Sequence, residues 1–268
     1  MDTNFVQVEG GRIAYSVDGE GPLIVCVPGM GDLRTAYRFL APALVRRGFR
    51  VACMDLPGHG ESSDGFAAYD DVTLGAAILA VIAELGGPAI VVGNSMGAGA
   101  AVWASVEAPA AVGGLALLGP FVRDPLINWV SRVTMTALLV KPWGPAAWRS
   151  YFAKSFPTAP PADLDQHVAD IKSAMQRGDH WRSFVKTTRT THRPAEERVA
   201  RVTVPTLVVM GSKYRDWPDP RMEAQWIVDQ TDGRLLMVDG AGHYPMVEFH
   251  EIVSPAIGDF AAEVAHGA

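Results

Sequence analysis

Apolar residues along this chain fall into two alternating patterns, short continuous runs and longer stretches with helical spacing. LIVCV (Leu23 to Val27) is uninterrupted and rich in β-branched residues, and RVACM (Arg50 to Met54) and AIVVG (Ala89 to Gly93) are further short, largely apolar runs. Such runs predict strands buried on both faces. GGLALLG, TLVVMG and RLLMVDG predict three more strands further on. FVQVEG and RIAYSVDGEG read as two short strands joined through Gly10-Gly11, a hairpin signal. Helices are predicted between them: Leu33 to Arg47 with Asp32 as N-cap and Gly48 at its end, Asp71 to Leu85, Met96 to Glu107, and one opening at Asp219-Pro220. Repeated strand–helix–strand units imply an α/β fold, a mostly parallel central sheet flanked by helices.

One stretch breaks the alternation. Between Phe121 and Arg201 no buried strand is predicted. NWVSRVTMTALLV, PAAWRSYFAKSF, ADLDQHVADIKSAMQRG and DHWRSFVKTT have helical character, separated by prolines at 142, 145, 157, 160 and 161. The partition is therefore a core of residues 1–120 and 202–268, interrupted by an all-helical lid at 121–201. Most aromatics of the insert are expected to pack it onto the core. Trp129, Trp143, Trp148, Trp217 and Tyr244 are the candidates for lining a pocket.

Composition narrows the function classes. The 268 residues carry 23 Lys and Arg against 29 Asp and Glu, a net charge of −6, without basic clusters. That balance argues against nucleic acid or an anionic membrane as partner. No apolar stretch reaches the ~20 residues of a bilayer span, and the start of the chain lacks a signal-peptide pattern. A cytoplasmic location is expected. Cys26 and Cys53, the two cysteines, lie inside predicted strands and read as buried thiols. No HExxH, P-loop or strand-borne GxGxxG is present, so neither metal nor nucleotide cofactor is expected. The expected partner is a small-molecule substrate, with homodimer formation left open.

The chemistry concentrates at strand ends, where parallel sheets bind ligands. Gly93-Asn94-Ser95-Met96-Gly97 places a serine on a small-residue turn between strand and helix. Ser95 is the candidate nucleophile there. The backbone N–H of Met96, at a helix start, and that of Met30, in VPGMGD, are the candidate oxyanion donors. His243, in a Gly-rich loop after the last strand, is the candidate base.

Four motifs in order, VPGMGD, DLPGHGESS, GNSMGAGA and DGAGHYPMVE, make the chain resemble an α/β-hydrolase of the proline-iminopeptidase, esterase and epoxide-hydrolase-like group over nearly its full length. The resemblance implies the α/β-hydrolase fold and a Ser-His-acid triad. DLPGHGESS reads as architectural, with His59 structural rather than catalytic. Two departures stand out. Pro28 replaces the histidine that commonly opens the oxyanion loop, and Tyr214 occupies the slot of the family's acid in GSKYRDWPDP. The alternative slot near Gly119 carries no carboxylate either. Asp216 is ranked first as substitute acid, Asp124 next, and an acid-less Ser95–His243 dyad backed by Tyr214 last. A serine nucleophile suits acyl transfer on esters, lactones, thioesters or amides, or cleavage beside a ketone, on an apolar or aromatic substrate. The alternative is a non-hydrolytic homologue, a cyclase, lyase or ligand-binding protein with a degenerate triad.

Overall fold

The structure is a computed structural model describing residues 2–125, 139 and 143–267. Eight strands form one sheet: β1 (Asn4–Val8), β2 (Gly11–Asp18), β3 (Leu23–Val27), β4 (Arg50–Met54), β5 (Ala89–Asn94), β6 (Val112–Leu118), β7 (Thr206–Gly211) and β8 (Arg234–Val238). Their spatial order is β1-β2-β4-β3-β5-β6-β7-β8. The β1–β2 and β2–β4 pairings are antiparallel and every other pairing is parallel. This is the expected α/β-hydrolase sheet.

The apolar runs are continuous because both faces of the central strands are covered. On β3, Val25 and Val27 join one core cluster while Ile24 and Cys26 join the other. The edge strands β1 and β8 are only partly buried; β1 (NFVQV) mixes polar with apolar positions, whereas β8 (RLLMV) stays apolar after Arg234. Cys26 and Cys53 face each other across the β3–β4 register as free, buried thiols.

Most helix ends follow their sequence signals. α1 (Leu40–Val45) is treated below; α2 spans Asp71–Leu85, with Asp70 capping Thr73 N–H at 3.0 Å and Gly86 closing it in the left-handed region at φ 76°. α3 spans Met96–Glu107. Past the insert, α8 (Pro220–Thr231) starts at Asp219, which accepts from Met222 N–H at 3.0 Å.

The helix expected over Leu33 to Arg47 is not continuous. A 3₁₀ turn at Arg34–Tyr37 precedes the short α1. Asp32 does not cap it: Leu33 holds the cap position without a side-chain hydrogen bond. The Asp32 carboxylate instead accepts from Leu33 N–H at 2.7 Å and pairs with His167 Nε2 at 2.7 Å. Asp55 Oδ1 also takes the Arg34 N–H at 2.8 Å, so long-range partners claim the groups that would begin a regular helix.

Between 121 and 201 the described residues contain helices and no strand: α4 (Gly144–Ala153), α5 (Leu164–Met175), α6 (His180–Thr187) and the single turn α7 (Arg193–Glu196). The expected helix NWVSRVTMTALLV and Trp129 lie outside the described residues, Leu139 excepted. Arg38 grips Asp163 through two bonds of 2.6 and 2.7 Å, and Trp148 Nε1 donates to the Gly31 carbonyl at 3.3 Å. The helical segment is thereby fastened to the loop after β3. The short turn α9 (Pro245–Glu248) and the long α10 (His250–Gly267) complete the chain.

Candidate active site

Ser95 sits between β5 and α3 at φ 54°, ψ −121°, one of two described non-glycine residues with positive φ. Such a conformation costs on the order of 1–3 kcal/mol, so the surroundings must impose it. They do so through glycines. A Cβ on Gly97 would meet the carbonyl oxygens of Val27 and Pro28 at 2.5 and 2.6 Å, and one on Gly93 would meet the Gly97 carbonyl oxygen at 2.5 Å. The turn thus closes against the end of β3 as no larger residue allows.

The loop after β3 lies alongside. A Cβ on Gly29 would come within 3.0 Å of both Ser95 Cβ and Asn94 Oδ1. His59 accepts the Gly31 N–H at Nε2 (3.0 Å) and places its Nδ1 2.9 Å from the Pro57 carbonyl oxygen. Those two contacts fix the tautomer: the proton is on Nδ1 and the imidazole is neutral. Burial lowers its pKa to about 4. His59 is a strut under the Met30 loop, as expected from sequence. Among the described residues neither Met30 nor Met96 gives its backbone N–H to a protein acceptor, and both residues line the cavity that contains Ser95.

His243 follows β8. Its loop is held by Glu248, which accepts from Gly242 N–H at 2.6 Å, and by Ser155, whose carbonyl takes the His243 N–H at 3.2 Å. Asn94 donates from Nδ2 to the His243 carbonyl at 3.2 Å and to Leu118 O at 2.9 Å. Burial lowers the pKa of the imidazole, with Asp216 and Asp32 acting in the opposite direction. Ser95 and His243 face one cavity of about 570 Å³.

The acid position is unusual. His243 Nδ1 is buried without a hydrogen-bond partner. Its nearest carboxylate is Asp216, with Oδ2 at 3.9 Å, beyond hydrogen-bond length. That same oxygen accepts from Tyr151 Oη at 2.5 Å. Tyr214 packs edge-on against the imidazole with ring centres 4.7 Å apart and makes no hydrogen bond to it. Burial pushes the Tyr214 phenol well up, with the Ser95 hydroxyl acting the other way. Asp124 borders the cavity, but its carboxylate accepts from His192 N–H at 3.0 Å and from the Thr191 hydroxyl. Of the two candidate carboxylates, Asp216 approaches His243 and Asp124 does not.

The cavity wall is mixed. Met30, Phe121, Trp148 and Tyr244 supply apolar surface, while Thr187 to Thr190 and His192 supply a polar stretch. His192 is paired with buried Asp71 at 3.0 Å. Burial opposes its charge, but the Asp71 carboxylate prevails and the pKa is raised. Of the aromatics singled out from sequence, Trp148 and Tyr244 border the cavity; Trp217 belongs to the core and Trp143 is 57% exposed. Asn94, Phe121, Tyr151 and His192 were not singled out. Asn94 stands inside the GNSMG motif; the other three carry no sequence signal beyond their types.

A profile of the alpha/beta hydrolase family matches residues 24–256. The chain belongs to that family. Among relatives of this hydrolase-family chain is 2-hydroxy-6-oxononadienedioate/2-hydroxy-6-oxononatrienedioate hydrolase 2 of Pseudomonas putida, 26% identical over 273 residues covering 94% of this chain and 88% of that one. An esterase structure from Exiguobacterium antarcticum superposes with a TM-score of 0.84 at 20% identity, covering 96% of this chain and 98% of that one. The dihydrolipoyllysine-residue acetyltransferase component of an acetoin cleaving system from Cupriavidus necator is 33% identical over 126 residues, 46% of this chain. The aligned part is 33% of that longer protein. Among the described residues no helix is long and apolar enough to cross a membrane, and no cluster of three or more His, Cys, Asp or Glu side chains is arranged to hold a metal ion.

Proposed function

We propose that this α/β-hydrolase is a serine hydrolase acting on an ester, lactone or related acyl bond of a small, largely apolar or aromatic substrate. The observation that carries the reading is Ser95, held at positive φ on a strand-to-helix turn, facing the same cavity as His243. A serine strained at that point is what presents a side-chain oxygen to the cavity for attack.

In the reaction Ser95 Oγ attacks the substrate carbonyl carbon and its proton passes to His243 Nε2. The carbonyl oxygen becomes an oxyanion, met by the N–H groups of Met30 and Met96, the latter at the N-terminus of α3. His243 then protonates the leaving group, which departs and leaves an acyl-enzyme. Water, deprotonated by His243, releases the acid and restores Ser95. Asp216 serves as the acid, acting on the imidazole through its charge at 3.9 Å rather than through a hydrogen bond. Residues 121–201 act as a lid, supported by the wall that Trp148, Tyr151, Thr187 to Thr190 and His192 give the cavity. The esterase and hydrolase names of the relatives above agree with this chemistry, and a cavity of about 570 Å³ suits a small substrate.

Turnover of short p-nitrophenyl esters, lost in Ser95→Ala and in His243→Ala, is the expected result. Full activity in Ser95→Ala would remove the nucleophile. The unpaired His243 Nδ1 favours one second reading, a non-hydrolytic or ligand-binding homologue. Failure of a fluorophosphonate to label Ser95, with tight binding of an apolar ligand, would select it.

A further inference from the structure

We propose that Tyr151 is a positioning residue that holds the Asp216 carboxylate away from His243, so that a side chain of the helical segment sets how strongly the acid acts on the base. The proposal rests on the reading of His243 as general base.

Tyr151 and His243 compete for one oxygen. Asp216 Oδ2 lies 2.5 Å from Tyr151 Oη and 3.9 Å from His243 Nδ1. The first distance is that of a strong charge-assisted hydrogen bond; the second is no hydrogen bond. Meanwhile Nδ1 is enclosed and unpartnered, a costly state that a turn of the carboxylate would relieve. Something must hold the carboxylate back, and Tyr151 is what it touches.

The direction of donation is settled by the surroundings. Burial, then the Asp216 charge, pushes the Tyr151 phenol well above its ordinary range, with Arg215 opposing. The phenol therefore keeps its proton and donates it. Tyr151 cannot easily swing away, since its ring stacks on Trp148 at 5.2 Å and Trp148 is pinned to the Gly31 carbonyl. The other groups facing His243 are Tyr214 and Tyr244, packed on its ring, and Asp32 at longer range. Lys154, Lys213 and Arg215 border the small cleft behind it. None of them bonds Asp216 among the described residues, so removing the Tyr151 hydroxyl leaves Nδ1 as the partner within reach.

The test is the titration of the His243 imidazole, followed by nuclear magnetic resonance in Ser95→Ala protein, which needs no turnover. Tyr151→Phe should raise the His243 pKa by about one unit, the usual scale for a newly formed carboxylate contact. The rise should vanish in Tyr151→Phe with Asp216→Asn. In protein retaining Ser95, the acid limb of kcat/KM should move to higher pH by the same amount. An unchanged or lowered His243 pKa in Tyr151→Phe overturns the proposal, as does a rise that persists without Asp216. Should Tyr151→Phe fail to fold, Asp216→Asn alone must lower the Tyr151 phenol pKa, and an unmoved phenol overturns it equally. An intact imidazole shift with an unlabelled Ser95 would discard the hydrolase reading alone; labelling without the shift would discard the role of Tyr151 alone.

Discussion

Asn94 donates from Nδ2 to the carbonyl oxygen of His243 at 3.2 Å, so the residue beside Ser95 also holds the loop that carries the imidazole. The two loops come from strands β5 and β8, which are not neighbours in the sheet. This hydrogen bond ties the two loops directly, beside the holds that Glu248 and Ser155 place on the His243 loop.

Asn94→Ala removes that tie and the bond to Leu118 O. Two buried carbonyls lose a donor, although Leu118 O keeps the Ser95 N–H at 3.0 Å. The expected cost is about 1–3 kcal/mol of stability. A displacement of His243 by about 1 Å should lower kcat by roughly 10². Chemical denaturation and ester kinetics check both; wild-type kcat in Asn94→Ala would show that β8, Glu248 and Ser155 position the histidine without Asn94.

Ser95 carries backbone strain that glycine would not feel. Ser95→Gly and Ser95→Ala should both be inactive, but Ser95→Gly should be the more stable of the two. The expected gap is about 1 kcal/mol, the difference between a residue with Cβ and glycine at positive φ, less the entropy of the unfolded glycine chain. Thermal melts decide it. Equal melting temperatures would mean that the turn at φ 54° is relaxed.

Gly97→Ala tests the packing that forces the turn. The new methyl would press on two backbone carbonyl oxygens at 2.5 and 2.6 Å, which cannot rotate away as a side chain could. A loss of about 1–3 kcal/mol or more is expected, together with loss of ester turnover. A stable, active Gly97→Ala protein would contradict the closeness of α3 to the end of β3.

The fold was legible because its signals are local and strong. Buried parallel strands write themselves as apolar runs, and Asp70, Gly86 and Asp219 mark helix ends with their own side chains or backbone freedom. That Ser95, Met96, Met30 and His243 line one cavity was legible because motif residues at the strand ends of a parallel sheet lie together. Asp32 was misread because its carboxylate answers to His167, 135 positions away, which no local pattern reveals. The partner of Asp216 is hidden for the same reason: Tyr151 lies 65 positions upstream, on a helix whose sequence shows only amphipathic packing. Contacts that cross between core and helical segment are where local reading stops.

Activity should fall as acid protonates His243. Burial lowers that pKa, while Asp216 raises it. The neutral imidazole needed as base is therefore present from below the ordinary histidine value upward, and the acid limb of kcat/KM should lie under about pH 6.5. Asp216→Asn removes the opposing charge, so the limb should move to still lower pH while kcat drops for want of the charge that stabilises the imidazolium. A limb that moves upward in Asp216→Asn would show that the carboxylate does not act on His243.

His59 couples the stability of the fold to pH. In the folded chain its pKa is lowered to about 4, against about 6.5 for a free histidine. Between those values the unfolded chain binds the extra proton and the folded chain does not, so stability rises with pH across the window. The contribution is complete above about pH 6.5 and is lost as pH falls through about 4, to a total on the order of 3 kcal/mol. The physical event is specific. Protonation at Nε2 would replace the acceptor of the Gly31 N–H with a second donor, 3.0 Å from a group that needs an acceptor. The Met30 loop should then loosen first, and ester turnover should fail before global unfolding. His59→Phe should flatten the pH dependence of the melting temperature between 4 and 6.5 relative to wild type, at some cost in overall stability. If that slope is the same in His59→Phe and wild type, the neutral strut under Gly31 is not what acid disrupts.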